Sequence, residues 1–480
     1  VTATATTAPP DAPPSTGRPR AWSALELLPP AVLAVLGVLL LLPGHGLWFD
    51  ELFTAEVARL PLGRIVEAIT TGEATASYLA GVPPAYNAPY YLVVHGWMSL
   101  PGLGGDTSLR VLSLLATAGG VALVTRALTR LAGRVTGALA GTVLAVNPLL
   151  LEHSVEARSY GLAMLATGAT VLGLARWLQE PPRGLVLFGV AGAGMGLAHW
   201  YAVTVLAAFV VVALVLRGRR ALPVVAVGAA ASLPAVGFVA LAVLNGTGSR
   251  NAEHLRDTGG RLSGYAVEAW AAGSFPLLAL TVGLAVLGAA RGVGEARAVA
   301  AGWALVPLVL LTAAELLRPV YHPRYLLAGL LGVGVLAALG AMSAPRAARA
   351  PVAALLVAFS LLAAAPLADR PPRERADDVA RLLAEVHTPG EPIVAADMRS
   401  AIGLDHYVRL LAPQLRPDVI LPPDDAPAGA DRVWLVRRIM DGAPEGSDDD
   451  EILTGAGLRV VRTHEFPATK SPLIVQVWER

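Results

Sequence analysis

Apolar runs long enough to cross a bilayer recur along this chain, and only short charged breaks separate them. A hydrocarbon core about 30 Å thick needs roughly 20 apolar residues per helix. Because no backbone polar group can stay unpaired there, such runs must be helical. Runs of this kind lie near 22–42, 107–126, 136–151, 160–178, 184–198, 201–216, 221–243, 270–290, 298–314, 326–342 and 351–367. The expectation is a polytopic α-helical membrane protein with about eleven spans, several near the short limit. Composition agrees: 55% of residues are hydrophobic and 15% charged, against about 25% charged in soluble proteins.

Arginines orient this layout by the positive-inside rule. With Arg18 and Arg20 inside, the inner breaks carry Arg126, Arg130 and Arg134, then Arg183, then Arg217, Arg219 and Arg220, then Arg291 and Arg297, then Arg346 and Arg349. Residues 1–20, rich in Pro, Thr and Ala, read as a disordered cytoplasmic tail. The first run is too long for a signal peptide and is read as an uncleaved span. The predicted home is the plasma membrane.

The predicted outer segments are richer. Residues 44–106 form a long outer loop within a multi-span region, 21–367. Apolar and charged residues from Glu51 to Ile69 alternate as in one amphipathic surface helix. Asn87 to Trp97 reads as a second interfacial segment, with Tyr90 and Tyr91 in the headgroup belt. From 368 to 480 the chain is charged and carries no span. Val379, Leu382, Leu383 and Val386 repeat at helical spacing, and strand-like runs follow at 392–396, 433–437, 458–462 and 473–478. An odd span count makes this an extracytoplasmic α/β domain.

Three clusters could carry chemistry. Asp50 and Glu51 follow the first span; Asp50 reads either as the cap of a surface helix or as a general base. Glu152, His153, Glu156, Arg158 and Tyr160 form the second; Glu152 and Glu156 lie a helical turn apart, and internal ion pairing is the plainer reading. The segment Glu315 to Tyr325, with Arg318, Tyr321, His322, Arg324 and Tyr325, forms the third, fit to hold a phosphate or to anchor lipid headgroups. The pair His199-Trp200 reads as interfacial packing. All three clusters fall on the predicted outer face. A carboxylate base beside cationic phosphate holders is equipment for displacing a phosphate from a sugar. With no cysteine, thiolate chemistry is excluded, and the histidines lack zinc spacing. Net charge of +1 implies no nucleic-acid partner.

In WFDELFTA (48–55), NAPYYLVVHGW (87–97), SLRVLSLLA (108–116), HSVEARSYGL (153–162) and YHPRYLL (321–327), in this order, the chain resembles the GT-C superfamily of membrane glycosyltransferases. It is similar to the branch holding protein O-mannosyltransferases and lipid A aminoarabinose transferases, glycosyltransferase family 39-like. The resemblance implies a polyprenyl-phosphate sugar donor and an inverting transfer at the outer membrane face. Mannose is the first sugar by family frequency, with other hexoses or a pentose behind it, and the acceptor is a lipid, polysaccharide or protein. The resemblance implies Asp50 as base with Glu51 beside it. It implies that Glu156, Arg158 and Tyr160 line the substrate cavity, and that His322 and Arg324 lie near the donor phosphate; Tyr90, Tyr91 and Tyr321 are further candidate substrate-binding residues. Relatives often carry His-Pro-Pro where this chain has Asn87-Ala88-Pro89, so no role passes to that histidine. No cofactor is obligatory; Mg²⁺ or Mn²⁺ suits carboxylates and phosphate. A lipid-linked sugar transporter and a catalytically inactive envelope scaffold are the other classes open to this sequence.

Overall fold

The structure is a computed structural model that describes residues 21–79, 88–244, 269–317, 322–424, 426–427, 429–440, 443–444 and 448–480. Each of the eleven predicted runs is mostly helical, with breaks at 146–147 inside 136–151 and at 272–274 inside 270–290. The helices are α1 (Ala24–Leu41), α5 (Asp106–Ala132), α6 (Arg134–Ala145), α7 (Pro148–Ser154), α8 (Tyr160–Gln179), α9 (Leu185–Ala198), α10 (Val203–Arg217), α11 (Leu222–Leu244), α12 (Phe275–Arg291), α13 (Gly294–Leu317), α14 (Leu327–Ser343) and α15 (Arg346–Ala364). Length and composition alone do not resolve eleven separate spans. Among the described residues seven helical stretches are long and apolar enough to cross a membrane, or eight if a bent pair counts as one. Two expected spans, Leu185–Ala198 and Phe275–Arg291, are shorter apolar helices. The predicted runs at 201–216 and 221–243 fall in one stretch, Trp200–Leu244, interrupted at Gly218 where φ is +55°.

The bent pair is α6 and α7, which meet at 66°. Val146 and Asn147 separate them, and Pro148 cannot donate a backbone bond to continue α6. Asn147 restarts the helix: its side chain accepts from Leu150 N–H at 3.1 Å and donates to the Trp270 carbonyl at 3.0 Å. This bend turns Glu152 and His153 toward the end of the bundle where α1 ends and α8 begins.

Small residues set the closest helix contacts, as in membrane bundles generally. Gly120 of α5 abuts the backbone of Met164 and Leu165 on α8, and Gly288 of α12 abuts that of Leu336 and Gly340 on α14. A side chain at either crossing would collide with main chain, where overpacking costs about 1–3 kcal/mol. At the opposite end of the bundle Arg126 bonds Glu26 at 2.6 Å and Arg130 bonds Glu180 at 3.1 Å.

The segment from 44 to 106 departs from a single surface helix. It forms α2 (Phe49–Arg59) and α3 (Leu62–Thr71), broken at Pro61, then α4 (Ala88–Met98). Proline at 61 leaves no N–H to carry α2 onward. Nor does α2 lie on a lipid surface: Leu52, Phe53, Ala55, Val57 and Ala58 are all buried.

What buries α2 is α4 on one side and the C-terminal sheet unit on the other. That unit contains α16 (Ala376–Val386), β1 (Ile393–Ala395), α17 (Met398–Leu411), β2 (Val419–Ile420), β3 (Arg432–Met440), β4 (Ala443–Pro444), α18 (Asp448–Gly455), β5 (Arg459–Phe466) and β6 (Leu473–Glu479). Strand order is β2-β1-β3-β6-β5, with β4 paired to β3. The β1 contacts are parallel and the β3–β6–β5 contacts antiparallel. Helix α16, the four predicted strands and the α/β class agree with expectation. One apolar core runs from Leu47, Phe49, Leu52 and Tyr91 through Ala376, Val379, Ile402 and Tyr407 to Trp434 and Val475. The sheet unit therefore shares its core with the 44–106 segment.

Candidate active site

Asp50 and Glu51 are neighbours with different surroundings. Both occupy the first turn of α2, where the helix dipole favours negative charge. Glu51 points inward, with its side chain 1% exposed. Its carboxylate accepts from Arg110 Nε at 3.0 Å and Nη2 at 2.5 Å, from Ala157 N–H at 2.7 Å and, at the helix start, from Trp48 N–H at 3.4 Å. Every lone pair it can offer is engaged, and its geometry is that of a positioning group.

The Asp50 side chain is 20% exposed and carries a lighter load. Its Oδ2 lies 3.3 Å from Arg324 Nη1 and 3.8 Å from Arg158 Nη2, while its carbonyl accepts from Arg158 Nη1 at 3.0 Å. Burial raises its carboxyl pKa, but Arg158 and Arg324 prevail and hold it below the usual carboxylate range. Asp50 is thus an anion clamped by two guanidiniums from distant parts of the chain.

The second cluster closes around a residue that sequence reasoning passed over. Arg373, just past the last bundle helix, reaches Glu152 at 2.7 Å and Glu156 at 2.5 Å. It also stacks on the Trp48 ring, 4.8 Å from the centroid. Arg370 bonds Glu152 as well. His153 Nδ1 lies 3.0 Å from Glu156. Burial opposes the Glu156 charge, yet Arg373 and then His153 hold its carboxyl well below the ordinary range. Glu152 and Glu156 do share a partner, although α7 ends before Glu156.

Aromatic rings complete the floor. Tyr160 packs 5.0 Å from His153 and 5.6 Å from His199. His199 also lies 5.6 Å from Tyr325, which stacks on Tyr201 at 4.8 Å. His199, expected only to pack at an interface, belongs to this cluster. His322 packs 5.6 Å from Tyr325; burial, then the charges of Arg324 and Lys470, push its imidazole down to about 3, so it is neutral.

Beside the clamp lies a cavity of ≈ 760 Å³, partly open to solvent. Glu152, Glu156, His322, Arg324, Arg373 and Lys470 are on its wall. Asp50 stands one residue back, behind Arg324. Tyr90 and Tyr91, expected to bind substrate, are instead packed in the shared core, 1% and 0% exposed. Tyr90 hydroxyl lies 3.3 Å from Ser113, and Tyr91 meets Phe53 edge-on. Arg318 and Tyr321 lie outside the described residues. Among the described residues no group of three or more His, Asp or Glu side chains is placed to hold a metal ion.

Comparison with solved structures decides the fold. The chain superposes on ArnT from Cupriavidus metallidurans bound to undecaprenyl phosphate with a TM-score of 0.57 and 16% identity, covering 94% of this chain and 97% of that one. The apo state of the same protein gives 0.55, again at 16% identity, with 93% and 97% covered. The chain has the GT-C fold. The archaeal oligosaccharyltransferase AglB from Archaeoglobus fulgidus, in complex with an inhibitory peptide and a dolichol-phosphate, matches with a TM-score of 0.51 and 12% identity, over 83% of this chain and 64% of that one. No protein-family model and no curated protein sequence matches the chain. A GT-C fold with a carboxylate clamped between arginines, beside a cation-lined cavity at one end of the bundle, is the frame for the chemistry below.

Proposed function

We propose that this chain is a membrane glycosyltransferase that moves a sugar from a polyprenyl-phosphate donor to a cell-envelope acceptor at the outer face of the plasma membrane. The observation that carries the reading is the placement of Asp50 against Arg324 and Arg158 beside the cavity. Structures of the same fold support it: one ArnT structure holds undecaprenyl phosphate and the AglB structure holds a dolichol-phosphate with a peptide.

In this mechanism the donor phosphate enters the cavity and draws Arg324 away from Asp50. Two consequences follow from charge alone. The phosphate gains a guanidinium suited to bidentate binding. Asp50 loses a cation, so its pKa rises and it becomes a better base. The acceptor hydroxyl then attacks the anomeric carbon from the face opposite the phosphate. The new C–O bond forms as the sugar–phosphate bond breaks. The proton passes to Asp50, and the bonding electrons leave on the polyprenyl phosphate, whose charge Arg324 and Arg158 offset. Configuration inverts. Glu51 fixes the start of α2 through Arg110, and Glu156 fixes Arg373 at the cavity wall. The sheet unit and the clamp share the outer side of the membrane.

Mannosyl donors head the list for testing, followed by arabinosyl, glucosyl and galactosyl donors. The test is sugar release from such a panel by the purified protein, beside Asp50→Asn. Turnover of one donor, lost in the variant with donor binding retained, is expected. Equal turnover in the variant would remove Asp50 from the reaction. Saturable binding with no turnover of any donor would favour transport or scaffolding.

A further inference from the structure

Lys470 is the only lysine in this 480-residue chain; every other long basic side chain is arginine. It sits on the connection between β5 and β6, and that connection is fastened in place. Thr469 N–H donates to the Pro372 carbonyl at 3.0 Å, and the N–H groups of Lys470 and Ser471 both donate to the Arg373 carbonyl, each at 3.1 Å. Ile439 N–H secures the other side through the Pro472 carbonyl at 2.8 Å. The sheet thus carries Lys470 to the same cavity wall as Arg324, Arg373 and His322.

Charge at that wall is unevenly satisfied. Arg373 is taken up by Glu152 and Glu156, and Arg324 by Asp50. Among the described residues no carboxylate stands within ion-pair distance of the Lys470 ammonium, which is exposed at the cavity mouth. Partial desolvation at that mouth, then Arg373, Arg324 and Arg370, hold the ammonium below the usual lysine range, with the Glu152 charge acting the other way. A cation near three guanidiniums, whose one nearby carboxylate, Glu152, is already bonded to Arg370 and Arg373, raises the free energy of the empty site. An arriving anion relieves it. Lysine suits this place, because its compact charge on a flexible stem can follow a phosphate that changes position as it leaves.

We propose that Lys470 binds the phosphate of the lipid-linked donor and of the polyprenyl phosphate left after transfer, so that the C-terminal sheet contributes directly to the donor site. This rests on the transferase reading above. It assigns the sheet unit a role in substrate binding as well as in packing.

A single lysine makes the test selective, because an amine-directed acyl ester can modify only one side chain; the terminal amine falls in a different peptide. The full-length protein in nanodiscs is acetylated with and without undecaprenyl phosphate, undecaprenol or inorganic phosphate, and Lys470 modification is followed by mass spectrometry. Binding of undecaprenyl phosphate is measured in parallel for the wild type, Lys470→Ala, Lys470→Arg and Arg324→Ala.

Undecaprenyl phosphate is expected to slow acetylation about tenfold while undecaprenol does not, and Lys470→Ala to weaken binding about tenfold, the worth of one charge-assisted hydrogen bond. Lys470→Arg is expected to recover most of the affinity. If inorganic phosphate protects but the lipid phosphate does not, the site takes a free anion and the proposal fails. Should Lys470→Ala bind the lipid phosphate as the wild type does while Arg324→Ala does not, Lys470 is excluded and the transferase reading stands. A wild type that neither binds the lipid phosphate nor turns over any donor would overturn both.

Discussion

Arg373 reaches Glu152 at 2.7 Å across 221 residues of chain. The same guanidinium neutralises Glu156, so one side chain compensates two buried or half-buried carboxylates. Removing it leaves charge uncompensated beside the cavity. Arg373→Met is expected to destabilise the protein by roughly 3–5 kcal/mol, the usual cost of breaking a buried ion pair on one side. Glu156→Gln added to Arg373→Met should restore part of that loss, which thermal unfolding of the two variants in the same detergent would measure.

The two adjacent carboxylates of α2 should separate cleanly by mutation. Asp50→Asn is expected to lower transfer by about 10²–10⁴, the range of general-base catalysis, with little change in melting temperature. Glu51→Gln strips half of a buried bidentate pair with Arg110 and should lower stability by roughly 3–5 kcal/mol. Turnover normalised to folded protein then falls far less for Glu51→Gln than for Asp50→Asn. Equal losses in both would contradict the distinction between base and positioning group.

Glu374 gives a stability effect with a defined sign. Its side chain is 3% exposed, its Oε1 lies 4.0 Å from Arg399, and burial with the nearby Asp50 charge pushes its carboxyl up to about 7 despite the bonds from Ser471 and Phe49 N–H. A folded pKa above the unfolded 4.5 means the folded state holds the proton more tightly. Stability is therefore highest at low pH with respect to this group, and declines as pH rises from 4.5 to about 7. Glu374→Gln should remove that decline and melt higher than the wild type at pH 8.

His406 should act in the next window up. It is fully buried on α17, with Nδ1 2.6 Å from Glu56 on α2 and Nε2 3.2 Å from Asp106 at the start of α5. Burial disfavours its charge, but bonds to Asp106 and Glu56 hold it above 6.5. Around it Arg409 binds Glu56 at 2.5 Å, and Tyr407 donates to Asp106 at 2.6 Å. The imidazolium ties the sheet unit to the 44–106 segment. Its contribution is complete below pH 6.5 and is lost as pH rises through the higher folded value. Hydrogen exchange of α17 should therefore quicken with pH beyond its intrinsic rise in the wild type, and not in His406→Gln.

Gly46 tests how tightly that join is packed. A Cβ there would sit 2.6 Å from Asp377 and 2.9 Å from the Tyr407 hydroxyl. Tyr407 also accepts from Leu47 N–H at 2.6 Å, so it has little room to move. Gly46→Val is expected to cost about 1–3 kcal/mol by overpacking, read as a lower melting temperature with Asp50 and Arg324 unchanged in sequence.

Hydropathy and charge along the chain determined the helices, the position of the sheet unit and the placement of Asp50, Arg158 and Arg324 at one predicted face of the layout. Those signals are local or periodic: a run is apolar over about 20 residues or it is not, and a motif keeps its order. Tertiary structure decided the rest. It buried Tyr90 and Tyr91, whose composition suits a headgroup belt and a core equally well. It split Glu51 to Ile69 at Pro61 and covered α2 with α17, a contact no property of α2 alone encodes. It also selected Arg370, Arg373 and Lys470 from a charged C-terminal stretch and brought His199 against Tyr160. An ion pair across 221 residues leaves no periodic trace, because either partner is an ordinary charged residue until packing brings the two together.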